Sequence, residues 1–301
     1  MNKANKEFIE KKRPKKQHDV HVKDYELGIL HYKNMIKKGN NVADAYVNMG
    51  FIYLDKEDYE DALQCFQKIL ELEPTNPEAF NNVGYVYEKM NRFDLAKQSY
   101  EKALGLNGQN LEAVINIGHI LELQGNNKEA VDQYLKAIAM NQQNDSARFY
   151  LAVLYDQQDR YEEAINQYSE IIRINPKHTK SMYNIGRIYF QQGDYSAALK
   201  QFQNVLELDP DNVDAWNNVG LIHEVNNDYA DAAAAYRKSL ALNPFHEDTN
   251  LNLANLQYLQ YKDSPAQVKI ADIIRRLQFV LSINPHNQKV DKLLTKIQKN
   301  V

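Results

Sequence analysis

The sequence predicts an all-α fold, a solenoid in which pairs of antiparallel helices stack along the chain. Three observations lead to this prediction. A set of residue types recurs every 34 residues, apolar residues within each repeat are spaced by 3 and 4, and prolines recur where helices would end. Recurrence at a fixed period is typical of repeat proteins, so the 301 residues need not form two separate globular domains.

The repeats can be numbered so that Ala43 occupies position 1. The seven repeats begin at Ala43, Pro77, Leu111, Asp145, Thr179, Val213 and Glu247. Position 8 holds glycine or alanine in every repeat, and position 20 holds alanine in the first six. A glycine inside a helix costs about 1 kcal/mol relative to alanine, so its recurrence indicates a close contact between helices. Larger residues at positions 11 and 24, mostly aromatic, are expected to fill the space beside that contact.

Each repeat is expected to contain two helices. In the first repeat, Tyr46, Met49 and Tyr53 lie on one stripe of a helix. Asp58, Asp194 and Asp228 are predicted to introduce the second helix of their repeats, and Pro74, Pro176, Pro210, Pro244 and Pro285 to close it. Position 34 is asparagine in several repeats, which predicts an N-cap for the following first helix.

These columns and their period resemble the tetratricopeptide repeat, over residues 43–287. The resemblance implies a right-handed superhelix of helix pairs, with a concave groove lined mainly by the first helices. The sequence departs from the pattern at His223 and Gln257, which replace the aromatic at position 11, and at Gly108 and Gln142, which replace proline.

The predicted domain organisation has four parts. These are a basic tail at residues 1–23, an N-terminal half-repeat at 24–42, seven repeats at 43–287 and a capping helix at 288–301. The tail carries a net charge of +5, the capping helix +3 and the residues between them −12. An acidic body is a poor match for a phosphate backbone, so nucleic acid is not expected to bind except through the tail.

Composition excludes several other classes of protein. No apolar run approaches the roughly 18 residues that a membrane span needs, and no apolar stretch follows the basic N-terminus, so a cytoplasmic protein is expected. Cys65 is the only cysteine, which excludes an internal disulfide and a thiolate metal site. No nucleophile, phosphate-binding loop or metal-ligand framework stands out, so neither catalysis nor a cofactor is predicted.

The strongest candidate binding feature is a column of asparagines. Positions 2, 5, 6, 9, 12 and 13 should point into the groove. Position 6 is asparagine in six repeats: Asn48, Asn82, Asn116, Asn184, Asn218 and Asn252. An asparagine amide can pair with both the N–H and the C=O of an extended peptide. The column is similar to the asparagine ladder of O-linked N-acetylglucosamine transferases, here without a transferase domain. Alternatively, these side chains are idle or form local hydrogen bonds.

Residues at other groove positions indicate which side chains a bound protein or peptide, the client, would carry. Tyr85, Phe149, Tyr183 and Phe190 could receive apolar side chains, and Glu88 and Glu122 at position 12 favour basic ones. We therefore expect a protein or peptide client, bound as an extended segment by an interaction scaffold. The basic tail is expected to compete weakly for the same groove. The alternative is a structural assembly factor that joins a larger complex through its convex face or helix edges.

Overall fold

The computed structural model describes residues 25–264 and 268–300, and in that part it contains sixteen helices and no strand. The basic tail, and with it the expected competition for the groove, lies outside the described residues. The helices are α1 Tyr25–Lys37, α2 Val42–Asp55, α3 Tyr59–Leu72, α4 Pro77–Lys89, α5 Phe93–Leu106, α6 Leu111–Leu123, α7 Asn127–Met140, α8 Asp145–Gln157, α9 Tyr161–Ile174, α10 Thr179–Gln191, α11 Tyr195–Leu208, α12 Val213–Val225, α13 Tyr229–Leu242, α14 Glu247–Asp263, α15 Ile270–Ile283 and α16 Gln288–Asn300. The predicted all-α class is confirmed.

The described part of the chain divides between Gln167 and Tyr168 into an N-terminal and a C-terminal compact unit. In the N-terminal unit, α2 packs on α3, α4 on α5 and α6 on α7, and each second helix also contacts the first helix that follows it. In the C-terminal unit the pairs are α10 with α11, α12 with α13 and α14 with α15. The helices of these pairs thus bury their apolar stripes against each other and, within each unit, against the neighbouring pair.

The glycines at position 8 lie at a close contact, as predicted. A Cβ atom added at Gly84 would lie 2.7 Å from the ring of Tyr100 and 3.1 Å from the backbone oxygen of Ala96. Tyr100 is at position 24 and Ala96 at position 20 of the same repeat, and both are fully buried. The ring at position 24 therefore occupies the space that the missing side chain leaves.

Most first helices begin at the asparagine N-cap that the sequence predicts, and two begin at a histidine instead. Asn76, Asn110, Asn144 and Asn212 each cap a first helix by accepting the backbone N–H three residues on, at 2.7–3.0 Å. His178 and His246 take this role through Nδ1 before α10 and α14. Asp58, Asp194 and Asp228 all precede a second helix, but only Asp194 accepts a capping hydrogen bond.

The ends of the described chain are packed into the units. Ile29 of α1 lies in a cluster with Met49 and Cys65, and α16 buries Val290, Leu293, Leu294 and Ile297 in a cluster with residues of α14 and α15. Helix α14 has 17 residues where the other first helices have 13 or 14, which accommodates part of the insertion in the seventh repeat. Of the helices described, none is both long and apolar enough to cross a membrane.

Candidate functional site

The candidate site is the surface formed by positions 6, 9 and 12 of the first helices, which we call the first-helix face. In the N-terminal unit, Asn48, Asn82 and Asn116 lie on it and are partly buried. In the C-terminal unit, Asn218 and Asn252 are partly buried, whereas Asn184 is buried and donates a hydrogen bond to the Tyr168 hydroxyl at 3.1 Å. The structure thus brings the predicted column to one side of the helices within each unit.

Four of these asparagines are hydrogen-bonded to the preceding repeat, Asn184 through Tyr168 and three others in a shared pattern. In each of these three, Nδ2 donates to a side chain 35 residues earlier, at position 5. Asn116 donates to Asn81 at 3.2 Å, Asn218 to the Tyr183 hydroxyl at 2.9 Å and Asn252 to Asn217 at 3.0 Å. Asn218 also donates to the backbone oxygen of Asp214 at 2.9 Å. These members of the column therefore link neighbouring repeats.

The first two members of the column differ from these three. The side-chain oxygen of Asn48 is buried and has no hydrogen-bond partner among the described residues. The side chain of Asn82 likewise makes no hydrogen bond to any described residue, although it is only partly buried. These two amides are the ones on the first-helix face that are not used to join repeats.

Position 5 does not face the groove, which corrects the prediction for Phe149. Phe149 has no exposed surface, and Asn81, Ile115, Asn217 and Leu251 at the same position are also buried. In three repeats the residue at position 5 accepts a hydrogen bond from the asparagine at position 6 of the next first helix. Tyr183 is only partly buried, but its ring packs edge-on against Phe202 and burial raises the pKa of its hydroxyl to about 12.

The acids at position 12 are bonded to the tyrosines at position 24 of their own repeats. Tyr100 donates to Glu88 at 3.0 Å and Tyr134 to Glu122 at 3.0 Å, and Tyr236 bonds Glu224 in the same way at 2.7 Å. Glu88 is buried, so it does not stand open in the groove as the sequence suggested. The carboxylate at position 12 therefore accepts a hydrogen bond from a buried tyrosine of its own repeat, and it also gives the first-helix face a negative charge.

A polar cluster lies on the first-helix face around His119. Its Nδ1 is 3.5 Å from Oε1 of Glu88, and its ring lies beside that of Tyr150, which replaces asparagine at position 6 of the fourth repeat and stacks on Tyr134. Burial raises the pKa of Glu122, while His119 and hydrogen bonds from Tyr134 and Gln157 oppose that shift. The cluster is suited to interact with a cationic side chain.

The sequence carries a signal for these buried pairs. Where position 24 is tyrosine, position 12 is an acid in the second, third, fourth and sixth repeats. Where position 24 is phenylalanine, in the first and fifth repeats, position 12 is Leu54 or Phe190. A phenol needs a partner when it is buried and a phenyl ring does not, so comparison of the two columns predicts the bond.

Aromatic residues give the first-helix face its apolar component. Phe51 at position 9 is 39% exposed, and Tyr85 at the same position of the next repeat is partly exposed, with the Lys89 ammonium 5.3 Å from its ring centre. In the C-terminal unit, Phe190 is partly buried and packs edge-on against Tyr195. Phe51 and Tyr85 can therefore contact a client without any rearrangement of the helices.

The described residues contain no group of three or more His, Cys, Asp and Glu side chains that could hold a metal ion. Cys65 is buried, and burial raises the pKa of its thiol to about 11, which keeps it in the unreactive thiol form at neutral pH. The first-helix face thus offers amides, aromatic rings and carboxylates, and these groups support binding.

Three family models match four ranges of the sequence. Tetratricopeptide repeat models match residues 43–76, 77–110 and 183–247. A model for subunit 3 of the anaphase-promoting complex, or cyclosome, matches residues 124–205. Among curated protein sequences, none matches this chain significantly.

Several solved structures share the fold. The C-terminal part of a tetratricopeptide repeat-containing protein from Cytophaga hutchinsonii matches at 19% identity and a TM-score of 0.64, over 81% of this chain and 97% of that one. A tetratricopeptide repeat protein from Parabacteroides merdae matches at 16% and 0.59, over 89% and 99%. The Cut9–Hcn1 hetero-tetramer of the anaphase-promoting complex matches at 18% and 0.58, over 89% and 52%. At these identities the likeness is one of fold.

Proposed function

The chain belongs to the tetratricopeptide repeat family, whose members generally mediate protein–protein interactions, and we propose that it binds an extended segment of a client protein on the first-helix face. The observation that carries this proposal is the Asn82 amide, which is partly exposed and makes no hydrogen bond to the described residues. Tyr85 lies one turn further along the same helix. An amide and an aromatic ring on one stripe can bind a peptide backbone and a neighbouring side chain together.

Charge favours a basic client. Residues 24–287 carry a net charge of −12, and Glu122 lies on the first-helix face with a raised pKa that a bound cation would lower. A lysine or arginine beside Glu122 would also lie near the partly exposed ring of Tyr150, which stacks on the buried Tyr134 with centroids 5.5 Å apart. Ion pairing and cation–π contact would then act on the same side chain.

Site-specific photo-crosslinking in the native cell tests this proposal. A photoreactive phenylalanine analogue at Phe51 on the first-helix face is compared with the same analogue at Leu72, which is 53% exposed at the end of α3. We expect Phe51 to crosslink to one segment of a client, identified by mass spectrometry, and Leu72 not to do so. Crosslinks to that client from Leu72 alone would contradict binding on the first-helix face.

A variant with Asn82, Asn116 and Asn184 all replaced by alanine would not separate binding from stability. Asn116 and Asn184 make hydrogen bonds within the protein, so their loss would weaken the helix packing as well as any client contact. Asn82→Ala alone is the cleaner variant. We expect it to reduce client capture while its melting temperature stays within about 1 °C of wild type.

A second candidate function is a structural role in a larger complex. The match of residues 124–205 to an anaphase-promoting complex subunit favours it, as does an exposed aromatic pair outside the first-helix face. Phe245, between α13 and α14, is 61% exposed, and its ring centre lies 5.7 Å from that of Phe279 on α15. If this function is correct, Phe245→Ser should release the protein from a complex detected by native gel filtration, while Phe51→Ser should not.

A further inference from the structure

The six asparagines at position 6 are not equivalent. We infer that Asn48 and Asn82 are the members that bind a client backbone, whereas Asn116 and Asn252 hold neighbouring repeats together. This inference rests on the proposed function and assigns backbone recognition to the first two repeats. The expected occupant is an extended peptide with basic side chains, because the repeats are acidic.

The difference originates at position 5 of the preceding repeat. Asn116 and Asn252 each find an acceptor there, the oxygen of Asn81 and of Asn217. The corresponding residue for Asn82 is Val47, whose side chain has no acceptor. For Asn48 the corresponding residue, 35 positions earlier, is outside the described part of the chain. With valine at position 47, the Asn82 amide lacks the acceptor that Asn116 and Asn252 find, and it makes no hydrogen bond to another described residue in its place.

Asn48 adds an independent reason to expect a ligand. Its side-chain oxygen is buried without a partner in the described residues, although the residue as a whole is only partly buried. A buried acceptor without a hydrogen bond is energetically unfavourable. Rotation of the side chain toward the surface, where a peptide N–H could donate to this oxygen, would remove that cost. A client N–H that reaches this oxygen would supply the hydrogen bond that it lacks among the described residues.

The spacing of the two asparagines suits an extended peptide. Packed helices lie about 8–10 Å apart, and an extended chain advances about 3.3 Å per residue. Equivalent positions of neighbouring repeats are therefore about three peptide residues apart. Phe51 and Tyr85, three residues after Asn48 and Asn82 on their helices, would contact side chains of the same peptide.

Fluorescence anisotropy with the full-length protein tests the inference. The probe is a labelled 12-residue peptide of alternating lysine and serine, and a second probe is the same peptide with every serine N-methylated. We expect Asn48→Ala and Asn82→Ala each to raise the Kd for the first probe about three- to tenfold, the effect of one lost hydrogen bond. The matched controls, Asn116→Ala and Asn252→Ala, should change the Kd less than twofold and lower the melting temperature.

The N-methylated probe separates backbone recognition from charge. We expect wild type to bind it more weakly than the first probe, and the double variant Asn48→Ala/Asn82→Ala to bind both probes with similar Kd. If all four alanine variants weaken binding equally, or if none does while Glu122→Gln does, the inference is overturned, and client binding on the first-helix face is then decided by the Phe51 crosslink alone. If wild type binds neither probe while circular dichroism shows it folded, both the inference and a basic client are rejected.

Discussion

Tyr134 donates a hydrogen bond from its hydroxyl to Oε2 of Glu122 at 3.0 Å. Tyr134 has no exposed surface, and its pKa is raised well above the usual value, first by burial and then by the charge of Glu122. The bond connects the second helix of the third repeat to the first-helix face. It therefore links the packing of the repeat to the electrostatics of the candidate site.

Loss of this bond should destabilise the protein. Tyr134→Phe removes the donor and leaves Glu122 largely buried with one partner fewer, so we expect a loss of about 1–2 kcal/mol in the free energy of unfolding. Urea denaturation followed by circular dichroism provides the measurement. The control is Glu122→Leu/Tyr134→Phe, which reproduces the Leu54 and Phe66 pairing of the first repeat. A double variant less stable than Tyr134→Phe would contradict this explanation.

The raised pKa of Glu122 predicts how stability depends on pH. Because the folded protein binds a proton at Glu122 more readily than the unfolded chain does, the ionised form costs stability above the folded pKa. This cost disappears as the pH falls through the folded pKa toward the unfolded value of about 4.3. Glu122→Gln keeps an acceptor for Tyr134 and should stabilise the protein at pH 7 but not at pH 4. Equal effects at both pH values, in urea titrations, would refute this.

Gly84 should tolerate no side chain. Because an added Cβ would lie 2.7 Å from the Tyr100 ring and 3.1 Å from a backbone oxygen, Gly84→Leu should cost about 1–3 kcal/mol or more through overpacking. The matched control is Gly105→Ala in α5, where no atom lies within 4 Å of an added Cβ. That change should stabilise the protein by about 0.5–1 kcal/mol. If Gly84→Leu unfolds at the same temperature as wild type, Gly84 does not pack closely against Tyr100 and Ala96.

His246 should make stability of the seventh repeat depend on pH. Its Nε2 lies 3.1 Å from Oδ1 of Asp214, and this contact raises the pKa of the imidazole, with Asp248 and Glu247 adding to the shift. A raised histidine pKa gives stability that is fully present below the unfolded pKa, about 6.5, and is lost as the pH rises through the folded value. Asp214→Asn should therefore destabilise the protein more at pH 5.5 than at pH 8.5.

Replacement of the histidine itself provides the control for this prediction. His246→Asn introduces the residue that caps four other first helices, so the cap should be retained while the titrating group is removed. In this background Asp214→Asn should have the same effect at both pH values. If Asp214→Asn still destabilises the His246→Asn protein more at pH 5.5 than at pH 8.5, the pH dependence belongs to a group other than His246.

The period, the helix pairs and the close contact at position 8 follow from the sequence because each depends on residue types within one repeat. Which asparagines of the column are hydrogen-bonded within the protein cannot be predicted in this way. Whether Asn116 is available depends on Asn81 in the preceding repeat, and whether Asn82 is available depends on Val47. Such pairs lie 35 residues apart, one more than the period, so they do not stand out when the repeats are compared column by column.

The burial of Phe149 has a similar explanation. Helical periodicity places position 5 at the edge of the apolar stripe, and only the neighbouring first helix decides whether that edge is open. Within the described repeats this position is mostly buried, so a polar or aromatic residue there contributes to contacts between repeats. The bonds that the acids at position 12 accept from Tyr100, Tyr134 and Tyr236 become predictable only when positions 12 and 24 are compared with each other.

Amide hydrogen exchange on the full-length protein tests the central claim most directly. The protein is measured alone and with a saturating concentration of the lysine–serine peptide. Binding on the first-helix face predicts slower exchange in α2 and α4, which carry Asn48 and Asn82, with α3 and α5 unchanged. Slower exchange confined to α3 and α5 would contradict the account.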